Sequence, residues 1–79
     1  MLNKNDVVRV KNDIQNYVGN RVKLQCGHGA HQTTIDNCVV TDIYPDIFTV
    51  QLYQNKIPYR KLSYTYIDVM TNNVKVISY

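Results

Sequence analysis

The stretch IFTVQLYQ, Ile47 to Gln54, alternates strictly: Phe48, Val50 and Leu52 fall on one side, Thr49, Gln51 and Tyr53 on the other. A period of two is the signature of a strand with one dry and one wet face. Turn signals bound it, YPD before and NKIP after. Upstream, RVKLQC repeats the pattern, with Val22, Leu24 and Cys26 one way and Arg21, Lys23 and Gln25 the other. Between them TTIDNCVVTDIY reads as a long β-branched strand. Its alternation slips near Cys38–Val40, where a bulge is expected. Downstream, YRKLSY and VKVIS read as two more strands, the latter with Val74 and Val76 inward. Pro58 sets the start of the fourth strand at an edge. TYIDVMTN is too short for a stable helix and suits a single tight turn.

Ahead of the strands the period changes. Val7, Val10, Ile14, Tyr17 and Val18 recur at three and four, placing them on one helical face. Asn3 or Asn5 is the expected N-cap, Asp6 sits in the first turn, and Gly19 fits a left-handed residue after the helix. One helix over residues 3–18 and five short strands within 21–78 predict a single mainly β domain, 1–79. Its form is a small meander barrel or curled sheet, and closure would remove the exposed edges.

The segment QCGHGAHQTTIDNC, Gln25 to Cys38, holds both cysteines and both histidines of the 79-residue chain. Cys26, His28, His31 and Cys38 are the right ligand types for tetrahedral zinc. Their spacing, C-x-H-x2-H-x6-C, departs from the usual paired motifs. A hairpin turning about Gly29–Ala30 sets Cys26 opposite Thr33 and leaves Cys38 on the order of 16 Å farther along. That offset also disfavours a disulfide. The reading adopted has Cys26 in step with Leu24 as a core residue, Cys38 at a bend, and the histidines on an exposed loop, with no metal or cofactor.

No enzyme is expected. The chain has no glutamate and two serines, Ser63 and Ser78, and lacks P-loop, G-x-S-x-G and G-x-G-x-x-G patterns. A Cys26–histidine nucleophile is the sole alternative. MLNKND carries no secretory signal and no run suits a membrane span, so a cytoplasmic, membrane-free protein is expected. Nine Lys and Arg against six Asp give a net charge of +3, compatible with a phosphate-bearing partner without requiring one.

YPDIFTVQL followed by LSYTYIDVMTNNVKV resembles the Veg family of small Gram-positive bacterial proteins, and the similarity continues upstream through YVGNRVKLQ. The specific parts are Tyr44–Leu52 and Leu62–Thr71. The resemblance implies an SH3-like or Sm-like five-stranded barrel behind an N-terminal helix. It also implies a non-enzymatic role in biofilm matrix expression, through gene regulation. One departure stands out. Where family members carry a basic, glycine-containing loop after the first strand, this chain has CGHGAHQT, without fixed positive charge. Its histidines would add charge only below about pH 6.5.

Two modes of action follow. In the first, a regulatory protein partner docks on a barrel face or groove, with Tyr53 and Tyr59 beside the NKIP turn as interface aromatics; most tyrosines are otherwise expected half-buried. In the second, DNA or RNA is bound by basic strand faces. If strand five pairs with strand one, Arg21, Lys23 and Lys75 converge, while Lys56, Arg60 and Lys61 form a second cluster and Tyr53 or Tyr59 offers a stacking face. A homodimer is plausible for so small a core.

Overall fold

The computed structural model describes residues 4–27 and 29–79. Helix α1 (Lys4–Gln15) leads into strands β1 (Arg21–Cys26), β2 (Thr33–Ile43), β3 (Ile47–Gln54) and β4 (Ile57–Thr65), a one-turn helix α2 (Tyr66–Met70) and strand β5 (Val74–Ser78). All neighbouring strands are antiparallel, in the order β4-β3-β2-β1-β5. The expected pairing of strand five with strand one is present. Closure is not. β5 and β4 do not pair, so the fold is one curled five-stranded sheet rather than a closed barrel, and both edges remain. The helices cover the open side: α2 touches β4 and β5, and α1 packs on α2 and β2.

The core is the dry side of that sheet. Val22, Leu24, Cys38, Val40, Phe48, Val50, Leu52 and Val74 are buried with Ile14 of α1 and Tyr66 of α2. Val7, Val10 and Tyr17 pack against them from the helix side. Burying side chains of this size contributes about 1.5–3 kcal/mol each.

α1 ends three residues before the expected Val18, because the sheet takes over the chain. Val18 forms a bridge with Val40, and the Gly19 N–H donates to the Val40 carbonyl at 2.8 Å. Gly19 adopts φ +83°, which explains a glycine there, although it lies beyond the helix end. Asn5 lies inside the helix instead of capping it; Asn3 falls outside the described residues.

The bulge expected at Cys38–Val40 is displaced to both sides of it. Lys23 opposes the pair Asp36–Asn37, with Asn37 left-handed at φ 59°, and a second extra residue, Thr41, sits between Val40 and Asp42. Alternation therefore holds through the two valines: Cys38 and Val40 are buried and Val39 faces out. The two bulges curl β2 without turning its apolar side to water. Pro58 is tolerated as the second residue of edge strand β4.

Where the sequence of TYIDVMTN predicts only a tight turn and no helix, a five-residue helix, α2, stands, stabilised by its cap and its packing rather than by length. Thr65 caps it by accepting the Asp68 N–H at 3.0 Å. α2 delivers Tyr66 into the core. The Tyr66 hydroxyl donates to the carbonyls of Tyr44 and Ile47 at 2.6 and 3.0 Å, and its ring stacks on Phe48 with centroids 5.7 Å apart. Tyr64 packs on the same phenylalanine. The two most distinctive sequence segments, Tyr44–Leu52 and Leu62–Thr71, are thus one packed unit.

Candidate binding groove on the outer face of the sheet

Strand alternation that sends Val22 and Leu24 inward sends Arg21 and Lys23 outward. On the same wet face lie Val39 of β2, Gln51 and Tyr53 of β3, Lys61 of β4, and Lys75 and Ile77 of β5. A groove of about 470 Å³ opens there, lined by Arg21, Asn37, Val39, Tyr53, Asn55 and Lys56. The strand order arranges it. Arg21 of β1 forms one wall, Asn37 and Val39 of β2 the floor, and Tyr53 with the Asn55–Lys56 turn the other wall.

Two of the lining elements depend on left-handed backbone. Asn37 is the bulge residue. Asn55 and Lys56 form the two-residue connection between paired Gln54 and Ile57, with φ 52° and 68°. Two positive values in a row make a type I′ turn, whose hand matches the twist of the flanking strands.

Arg21 lies over the ring of Tyr79, its Cζ 4.5 Å from the centroid, with the Lys23 Nζ 6.0 Å from the same ring. The Tyr79 hydroxyl accepts the Asn37 N–H at 3.4 Å and lies 3.5 Å from Asp36 Oδ1. Lys23 pairs with Asp36 at 3.8 Å and Lys61 with Asp42 at 3.0 Å. The Lys61 hydrogen bond, followed by one from Thr49, holds the Asp42 carboxyl below its usual range. Among the described residues, Arg21 and Lys56 form no ion pair, and the lining contains no acidic side chain.

The expected contact residues divide between the groove and its surroundings. Lys23 and Lys75 are diagonal neighbours on the wet face, since Gln25 opposes Lys75 and Lys23 opposes Ile77. Arg21 stands at the far end of β1. Of the second cluster, Lys56 reaches the groove, Lys61 is tied to Asp42, and Arg60 and Tyr59 lie exposed on β4 outside it. The groove thus joins one member of each basic cluster, Arg21 and Lys56, with Tyr53 between them. Asn37, Val39, Asn55 and Tyr79 were missed. The clue to Asn55 and Lys56 is the two-residue spacing between flanking strands; the Asn37 bulge and the Tyr79 packing are tertiary. Three tyrosines are exposed, Tyr44, Tyr59 and Tyr79, more than a half-buried set would give.

The soft side chains are dispersed. Cys26 pairs with Thr33, as the hairpin geometry predicts, and Cys38 with Val22, about 13 Å along β1. The Cys26 thiol donates to the Tyr64 hydroxyl at 3.8 Å. Cys38 is fully buried, and burial, with Asp36 and Cys26 adding to it, pushes its thiol up to about 11. Burial likewise pushes Tyr64 up to about 12, helped by the Cys26 thiol. His31 ends an exposed 3-10 turn, Gly29–His31; His28 falls outside the described residues. Among the described residues no three His, Cys, Asp or Glu side chains gather. Nor is any described helix long and apolar enough to cross a membrane.

Fold and groove together define a small β-rich protein with a recess on the water-facing side of its sheet. The chain belongs to the family of the biofilm formation stimulator VEG, whose model matches residues 5–77. Membership supports a biofilm-related role. No curated protein matches the chain.

Proposed function

We propose that this chain is a non-enzymatic regulatory protein that promotes biofilm formation through transcriptional control of the extracellular matrix, acting by protein–protein contacts of its outer sheet face. The observation that carries the reading is the groove between Arg21 and Lys56, a recess that unites an aromatic, an aliphatic and two cations with no ion pair among the described residues. Aromatic and arginine side chains around a desolvatable floor are what protein interfaces favour.

The basic strand faces support a second reading, DNA or RNA binding, with Tyr53 as a stacking surface. Two features weigh against it. Lys23 and Lys61 are each paired with an aspartate of the chain itself, and affinity for a phosphate backbone grows with the number of cations left to neutralise it.

A photo-crosslinking side chain at position 53 separates the two in living cells. The expected adduct is destroyed by protease, resists nuclease, and is lost when Arg21→Glu is added. A nuclease-sensitive adduct, or none, contradicts the protein-contact reading.

A further inference from the structure

Lys56 occupies the second position of a type I′ turn at φ 68°, where glycine is the residue the backbone prefers. Among the described residues the Lys56 side chain is exposed and makes no hydrogen bond or ion pair. Its role is therefore outward. Facing it across the groove, Arg21 is braced by the Tyr79 ring and likewise has no carboxylate partner.

We propose that the groove binds a short acidic segment of a partner protein, its carboxylates bridging Arg21 and Lys56 and a neighbouring apolar side chain resting on Val39 and Tyr53. This rests on the protein-contact reading above and adds the chemistry of the partner. Charge complementarity selects the occupant: two free cations, two side-chain amides from Asn37 and Asn55, and no acid in the lining. A planar carboxylate matches the guanidinium fork. Beside the groove, Asp36 and Asp42 neutralise Lys23 and Lys61, so the positive charge left at the lining is that of Arg21 and Lys56, which matches one or two carboxylates at a time.

The test is a titration of the 15N-labelled full chain, following backbone amides by NMR, with three probes. These are a peptide of alternating glutamate and leucine about ten residues long, the same peptide with glutamine for glutamate, and mixed-sequence single-stranded DNA of similar length. The glutamate peptide is expected to shift Arg21, Asn37, Val39, Tyr53, Asn55 and Lys56 saturably, and the glutamine peptide to leave them in place. Lys56→Gly is expected to raise the thermal midpoint by about 3–6 °C while weakening peptide binding at least fivefold. A merely structural lysine would not produce that opposed pair. Shifts with DNA but not with the peptide, or with neither, overturn the proposal. So does a Lys56→Gly variant that binds as before. If the peptide fails yet the position-53 adduct stays protease-sensitive and Arg21-dependent, the partner contact stands and only its acidic character falls.

Discussion

At the scale of single residues, Tyr66 and Cys38 show how the interior is tied together. Tyr66 brings a hydroxyl into an apolar core, which is tolerable only because the Tyr44 and Ile47 carbonyls receive it. Removing that hydroxyl leaves the ring in place, takes this donor from the Tyr44 carbonyl, and leaves the Ile47 carbonyl with the Tyr44 N–H at 2.9 Å. Tyr66→Phe should cost about 1–3 kcal/mol in chemical denaturation, with no change in groove chemistry. Cys38 makes a pH prediction. Its folded thiol is raised to about 11, so above pH 9 the unfolded chain loses this proton before the folded one does. The folded state then holds more protons, and stability falls as pH rises through 9 to 11. Denaturation midpoints in that window should drop for the wild type and drop less for Cys38→Ala. Equal slopes for the two would show that another group, such as Tyr64, is responsible.

At the scale of elements, the turns and bulges carry what the strands cannot. Gly27 adopts φ +89°, and a Cβ there would stand 2.8 Å from the His31 carbonyl oxygen, a backbone atom that cannot swing aside. Gly27→Ala should therefore cost on the order of 1–3 kcal/mol in a thermal melt; a neutral result would mean the turn between β1 and β2 is looser than described. The β3–β4 turn makes the opposite prediction. Left-handed backbone costs a lysine about 1–2 kcal/mol, while glycine adds about 0.4–1 kcal/mol of unfolded-chain entropy. The first outweighs the second, so Lys56→Gly should stabilise by roughly 0.5–1 kcal/mol. The strands themselves were legible because period-two alternation is a local property: RVKLQC and IFTVQLYQ become β1 and β3 residue for residue. The end of α1 was not legible, since the Val40 carbonyl that draws Gly19 into the sheet lies about twenty residues on. Similarly, bulges at Asp36–Asn37 and Thr41 follow from partner-strand register, and the two adjacent valines hinted at their neighbourhood without placing them.

At the scale of the whole molecule, the strand order decides between the two forms expected: the curled sheet is present and the closed barrel is not. Five strands curl far enough to enclose Phe48 and Val50, but α2 lies against both β5 and β4, with α1 packed on it, where the two strands would otherwise meet. The cost is two edges, blunted on β4 by Pro58. Hydrogen exchange tests this. In the first half of β4, the amides pointing away from β3 should exchange at near-unprotected rates while those paired to β3 stay protected; uniform protection would indicate a closed barrel or a second copy on that edge. Of the groove, the sequence revealed the cations and Tyr53 but kept Arg21 and Lys56 in separate clusters. Only the order β1-β2-β3, a tertiary fact, brings them across from one another with Val39 beneath.

The working surface on this account is the groove between Arg21 and Lys56. Its most direct test is the level of matrix-gene transcripts in cells whose only copy of the protein carries Arg21→Glu and Lys56→Glu, with folding verified by circular dichroism on the purified variant. Transcripts at the level of cells lacking the gene are expected. Wild-type transcript levels from the folded double variant would contradict this role for the groove.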